Sequence, residues 1–205
     1  PMFVAERRGD ISSMPGVVRH DLDSLRAAAE DAVAAGVGAL MLFGVPDDDA
    51  KDDRGSQGWA EDGILQRGLA AVRDAVGDET VVMADTCLDE FTSHGHCGFV
   101  LEDGRVDNDA TVVAYTEMAL AQAAAGAHVV APSGMMDGQV AAIRAGLDGA
   151  GFEDVSILAY AAKYASSFYG PFREAVTSTL QGDRKTYQQD PANRREGVRE
   201  AALDL

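Results

Sequence analysis

Chemistry-bearing residues concentrate at a few points of the 205-residue sequence. The densest is DTCLDEFTSHGHC, residues 85–97, which holds Cys87, Asp89, His94, His96 and Cys97. Both cysteines of the chain lie in it, ten residues apart. Two thiols, a carboxylate and two imidazoles on one loop can wrap a divalent metal, and sulfur and nitrogen donors suit zinc. The spacing Cys-x-Asp is not that of a zinc finger, and the same residues would serve as a Gly-rich loop with packed cysteines. A disulfide is disfavoured in a reducing compartment. The second point is Lys163, one of three lysines, which follows an apolar run. A lysine buried at a strand end has a lowered pKa and attacks carbonyl carbon to form a Schiff base. Arg173, Arg184 and Lys185 follow it, would lower its pKa further and could hold a substrate carboxylate. An acid partner would instead make Lys163 structural. Asp85 is placed for acid–base work or for capping the loop behind it. Ser133 is placed for hydrogen bonding to a substrate or for capping a helix. His20 and His128 stand apart from these groups and receive no role.

Something must bring these points together, and the hydrophobic pattern says what. Helical spacing is read over Leu25–Ala35, Leu65–Val76, Thr111–Ala125 and Gly138–Ala145, the last stopped by Gly146. Short apolar runs read as strands at Met2–Val4, Gly38–Val45, Glu79–Ala84, His128–Ala131 and Ser156–Tyr160. Alternation of apolar strands and amphipathic helices means an α/β fold with a parallel sheet. Five strands suit either a doubly wound sheet or five-eighths of a (β/α)8 barrel. No G-x-G-x-x-G follows the first strand, which argues against dinucleotide binding. In both architectures working residues gather past the C-terminal strand ends, where Asp85, Ser133 and Lys163 fall. Composition is even along the chain, so residues 1–205 are read as one domain.

Charge excludes several functions. There are 34 acidic against 17 basic side chains, a net charge of −17, yet 46% of residues are hydrophobic. An acidic disordered chain would lack that apolar content. An acidic surface repels phosphate, so no nucleic-acid partner is expected. No run of 18 apolar residues exists to cross a membrane, and PMFVAERRGD lacks a secretory signal pattern, so a cytoplasmic location is expected. Dense carboxylates with only three lysines also fit a salt-adapted protein, whose stability would rise with added KCl.

A longer set of segments carries a family resemblance. These are SMPGVVRH (13–20), LFGVP (42–46), KDDRGS (51–56), DTCLDEFTSHGHCG (85–98), VAPSGMMDG (130–138), AYAAKYASSFYGPFREA (159–175), GDRKTYQ (182–188) and DPANRREGVREAALD (190–204). In this order they resemble the porphobilinogen synthase (5-aminolevulinate dehydratase) family. The resemblance implies a (β/α)8 TIM barrel of which this chain carries about the first five strand–helix units. It implies a lyase that condenses two 5-aminolevulinate molecules to porphobilinogen in tetrapyrrole (haem) biosynthesis. Lys163 matches the first of two Schiff-base lysines, and Arg173 and Arg184 match arginines that bind a substrate carboxylate. Asp85, Ser133, Tyr169 and Phe168 match residues lining the site. Cys87, Asp89 and Cys97 match the positions of the catalytic metal, zinc or magnesium. Glu200 matches an acidic residue that binds an allosteric magnesium. A homo-oligomer, an octamer in the family, is implied for the full-length protein.

The match has departures. Asp89 stands where the zinc branch has Cys, Gly134 where the family usually has Asp, and Gln139 where it usually has Arg. The family's second lysine belongs to a segment beyond REAALD, and an open five-stranded sheet exposes unpaired edges. The expectation is therefore a piece of a longer protein, inactive alone. A non-catalytic metal-binding relative, or another Schiff-base barrel acting on a keto acid, are the competing readings.

Overall fold

The computed structural model describes residues 1–180 and 182–205. Its strands are β1 (Met2–Ala5), β2 (Gly9–Asp10), β3 (Val18–His20), β4 (Ala39–Val45), β5 (Val81–Thr86), β6 (Phe99–Val100), β7 (Val106–Asp107), β8 (Val129–Pro132) and β9 (Ser156–Ile157). Its helices are α1 (Leu22–Ala34), α2 (Ile64–Val76), α3 (Asn108–Ala124), α4 (Gln139–Gly149), α5 (Gly170–Ala175) and α6 (Arg194–Leu203).

Strands β1, β4, β5, β8 and β9 pair in parallel, each beside the one before it in the chain. A doubly wound sheet reverses its strand order at a switch point. This sheet does not, and helices α2, α3 and α4 fill the crossovers, so the arrangement is an arc of a barrel. Outside β1, the sheet adds β3 in parallel and β2 antiparallel to β3. Neither short strand is legible as a periodic pattern.

Side chains alternate between the two faces of the sheet. Val4, Leu42, Val82, Ala84 and Val130 pack outward with Leu25, Leu69, Val72, Met118 and Ile143 of the helices. Phe3, Ala5, Phe43 and Val45 point inward, where Phe172, Ala175 and Val176 of the α5 segment cover them. The rings of Phe3 and Phe43 stack at 5.3 Å, and Phe172 meets Phe43 edge-on at 5.3 Å. Full burial of each such side chain contributes about 1.5–3 kcal/mol. The inner cluster therefore seats α5 within the barrel arc, against the strands that carry the site.

Two expected boundaries move. Helix α4 runs through Gly146 to Gly149. A Cβ at position 146 would strike Thr116 Cγ2 on α3, so this glycine allows close helix packing, and the turn falls at Gly151, φ +82°. The fifth strand covers only Ser156–Ile157, although the Leu158 and Tyr160 amides still donate to the Val130 and Pro132 carbonyls. With a partner on one side only among the described residues, its regular ladder ends early.

Candidate active site

Strand β5 ends in Asp85 and Thr86, and the chain then enters the cysteine loop. Residues 84–90 are all buried. Thr86 donates to Gln122 Oε1 at 2.7 Å, and Gln122 Nε2 donates to the Asp85 carbonyl at 2.8 Å. This pair ties the strand end to α3. Further along, the Ser93 amide donates to the Asp52 carbonyl at 2.7 Å, and the Thr92 hydroxyl donates to the His96 carbonyl at 3.0 Å. The Asp52 carboxylate accepts from the Arg54 and Ser56 amides at 2.9 and 3.0 Å, which orders the KDDRGS turn beneath the loop.

The loop gathers Cys87, Asp89 and Cys97, whose donor atoms lie within 4.8 Å of one another, all buried. Tetrahedral donors at zinc–sulfur bond length sit about 3.8 Å apart, so a small closing movement seats a dication. Two sulfurs and a carboxylate fit zinc better than magnesium, which prefers oxygen alone. The cysteines are free thiols. A hydrogen bond from Cys87 holds the Cys97 thiol below its usual pKa, while burial and the Asp89 charge push Cys87 well up. A second group, Asp85, Cys87 and Glu90, also lies within 4.8 Å and shares one sulfur with the first.

The two imidazoles of the motif do not join either group among the described residues. His94 meets the Asp53 carbonyl through Nε2 at 3.1 Å and accepts the His96 amide at Nδ1. His96 Nδ1 lies 3.0 Å from the Tyr187 hydroxyl, which also accepts the Cys97 amide at 3.4 Å. Both rings brace the loop. Of the five donors in the motif, Cys87, Asp89 and Cys97, the three that the resemblance implies, lie together. His128, given no role, accepts the Val82 amide at 2.9 Å and is a structural residue.

Lys163 reaches the same place from the stretch after β9. Its Nζ donates to the Ser133 carbonyl at 2.7 Å and lies 5.7 and 5.9 Å from the rings of Tyr160 and Tyr169. The expected lowering of its pKa does not occur. Burial lowers it, but Cys97, Cys87, Asp89 and Asp85 together outweigh burial and raise it. Arg173, Arg184 and Lys185, the cations expected to depress it, are not among the groups that act on it most strongly. Burial pushes Asp85 up to about 7 against the opposing pull of Lys163, with Asp89 adding to the rise and a Ser133 hydrogen bond opposing it.

Arg184 is buried and donates through Nη2 to Asp89 Oδ2 at 2.7 Å and to the Gly95 carbonyl at 2.8 Å. Burial pushes Asp89 upward, but Arg184, Lys163 and the bonds from Cys87 and Arg184 bring it below the usual carboxylate range. Arg173 is exposed on α5. It lines a 520 Å³ groove with Arg184, Lys185, Ser166 and Gln188, so three cations face one space. Tyr169 donates to the Tyr164 carbonyl at 3.1 Å, beside Lys163. Phe168 is 90% exposed, and its amide donates to Ser166 Oγ at 3.1 Å. Glu200 on α6 lines an adjoining 710 Å³ cavity with Glu196, Asp137 and Lys185, the last shared with the groove.

Residue type and spacing do not single out Glu90, Tyr115 or Gln122. Glu90 is 1% exposed, and neither of its carboxylate oxygens has a hydrogen-bond partner among the described residues. Burial and the charges of Asp89 and Asp85 push its pKa well up. Tyr115 and Gln122 ride the buried stripe of α3. A polar residue at core spacing was the available signal for both.

The model of one protein family, delta-aminolevulinic acid dehydratase, matches residues 1–205. The chain belongs to the delta-aminolevulinic acid dehydratase family. A curated relative of that name from Mycobacterium tuberculosis H37Rv is 66% identical over 208 residues, covering 100% of this chain and 63% of its own length. The Escherichia coli K12 relative is 49% identical over 207 residues, with the same two coverages. The solved delta-aminolevulinic acid dehydratase of Toxoplasma gondii ME49, in complex with the product porphobilinogen, superposes with a TM-score of 0.97. It is 44% identical and covers 100% of this chain and 59% of that one. The chain therefore spans just under two thirds of the length of these dehydratases. The arc of parallel strands is part of a dehydratase barrel, in keeping with the unreversed strand order.

Proposed function

We propose that this chain carries the metal loop and first Schiff-base lysine of a porphobilinogen synthase. That enzyme, a hydro-lyase, joins two 5-aminolevulinate molecules with loss of water. The observation that carries the reading is half-buried Lys163, 2.7 Å from the Ser133 carbonyl and acted on by the buried Asp85, Cys87, Asp89 and Cys97. The three-residue donor set fits a divalent metal, with zinc favoured over magnesium by its two sulfurs. When bound, such an ion supplies a Lewis acid beside the lysine. The chain's own residues do the rest. Lys163 must lose its proton before its amine can attack the substrate ketone, and Asp85 is the near carboxylate poised to accept it. Attack forms the carbon–nitrogen bond; the carbonyl oxygen then leaves as water, and an imine remains on Lys163. Arg173 and Lys185 face the groove where a carboxylate end would lie, with Arg184 behind them. Tyr169 and Phe168 are assigned to the wall of the site. Glu200 is assigned to an allosteric magnesium outside this cluster.

Of the three lysines, Lys51 is bound to Thr177 and Asp48, and Lys185 lines the groove, so Lys163 alone stands at the metal loop. This chain by itself is expected to form one Schiff base and not to turn over. No helix among the described residues is long and apolar enough to cross a membrane. Free cysteines suit a reducing cytoplasm, and the whole protein is assigned a homo-oligomeric state. Borohydride reduction in the presence of 5-aminolevulinate tests the reading. The expected result is an adduct mass on Lys163; an unmodified Lys163 would defeat it.

A further inference from the structure

Position 134 follows Ser133 at the mouth of β8. A Cβ built there would lie 2.5 Å from Tyr115 Cζ and closer still to the Tyr115 hydroxyl. The Gly134 backbone is not in the left-handed region, so its conformation is open to other residues. What excludes a side chain is the phenol. Tyr115 comes from α3 and is completely buried. Its hydroxyl lies 3.3 Å from Cys87 Sγ and 2.8 Å from the Cys97 carbonyl oxygen. One buried hydroxyl thus touches both ends of the cysteine loop. It has a single proton, which serves either the carbonyl or the sulfur. On the carbonyl it holds the backbone of residue 97 in place; on the sulfur it stabilises a thiolate.

We propose that Tyr115 is a positioning residue for the metal seat of Cys87, Asp89 and Cys97, and that position 134 lacks a side chain in order to admit it. The two residues form a matched pair. The space that a side chain on the β8 loop would fill is taken by a phenol packed behind the thiols. Partners behind metal ligands typically change affinity 10–100-fold when removed, because they fix the ligand's orientation and charge. The proposal rests on the reading of the cysteine loop as a metal site.

Cobalt(II) titration of the full chain tests it, with thiolate-to-cobalt charge-transfer absorption and chelator competition as readouts. Wild type is expected to develop the band. Tyr115→Phe should bind 10–100-fold more weakly with a shifted band, and the metal-free protein should unfold somewhat earlier because the Cys97 carbonyl loses its donor, with the shifted band as the mark that a loss of stability alone does not leave. Gly134→Ala should lose more, because the Tyr115 ring must leave its place. Combining it with Tyr115→Ala relieves the clash but leaves a cavity in the core, and should not restore the wild-type band. A Tyr115→Phe protein with wild-type affinity and band would overturn the assignment. So would a Gly134→Ala protein that keeps both with Tyr115 intact. Absence of a charge-transfer band in wild type would overturn the metal reading itself, and the assignment with it.

Discussion

The cysteine loop and the segment from Lys163 to Ser178 face the same site but are built in opposite ways. The loop, 85–98, is buried except at Ser93 and the half-buried His94 and His96, and is cross-braced from four directions: Asp52, Gln122, Tyr115 and Tyr187. It collects three carboxylates and two sulfurs and sets Lys163 and Arg184 against them. The second segment holds its regular structure in one six-residue helix and a short 3-10 turn, and exposes Phe168 and Arg173. It is anchored by the Phe172–Val176 cluster and by two polar clamps. Ser12 and Ser13 donate their amides to Glu174, and Lys51 donates to the Thr177 carbonyl at 2.9 Å. The contrast teaches a division of labour. A metal seat needs fixed donors and a charge deficit that a cation completes. A substrate groove needs cations that can still move onto a carboxylate.

The strongest way to break this contrast is at Lys163. Replacement by Ala should abolish the borohydride-trapped adduct completely while cobalt binding survives; an adduct elsewhere on the chain would show that the two regions do not meet at this lysine. Next comes Asp89→Asn. It removes one member of a buried ion pair with Arg184 and should destabilise the metal-free protein by about 3–5 kcal/mol, besides weakening metal binding. Chemical denaturation would read it, and a change near zero would mean that Arg184 is already committed elsewhere. Lys51→Met should cost less, about 1–3 kcal/mol, because the Thr177 carbonyl loses its donor. Its mark should be local, in faster amide exchange over residues 170–178, with the cobalt band intact.

The smallest effect concerns pH. The Ser12 and Ser13 hydrogen bonds hold the Glu174 carboxyl below its usual pKa. A depressed pKa contributes stability above the unfolded value and loses it as pH falls through the folded one. Exchange protection of the α5 segment should therefore fall on acidification past the ordinary glutamate range. In Glu174→Gln that acid-dependent component should vanish. Equal acid sensitivity in both proteins would remove Glu174 as the clamp.

Much of the site was legible because its residues are chemically unusual for their positions. Two cysteines in one short motif, and a rare lysine after an apolar run, mark themselves. The strands were legible as apolar runs closed by Gly, Pro or Asp. Less visible were features defined by what packs against them. Gly146 reads as a helix stop, yet the neighbouring Thr116 gives it a packing role. His94 and His96 read as ligands until the Gly95 turn directs their rings to Asp53 and Tyr187. Burial alone would lower the Lys163 pKa, and only the anionic groups facing it from another loop reverse the sign.

By itself, the sequence determined the alternation of strand and helix, the strand ends that carry chemistry, and the donor types available to a metal. These follow from periodicity and side-chain chemistry, which are local properties. The tertiary structure displays the barrel arc that the resemblance implies, brings Cys87, Asp89 and Cys97 within reach of one another, and sets the groups of the cysteine loop against Lys163. It also placed Tyr115 beside the sulfurs in the space a side chain at position 134 would need. Each of these depends on which distant groups share one low-dielectric space, and distance through the fold is not written in spacing along the chain.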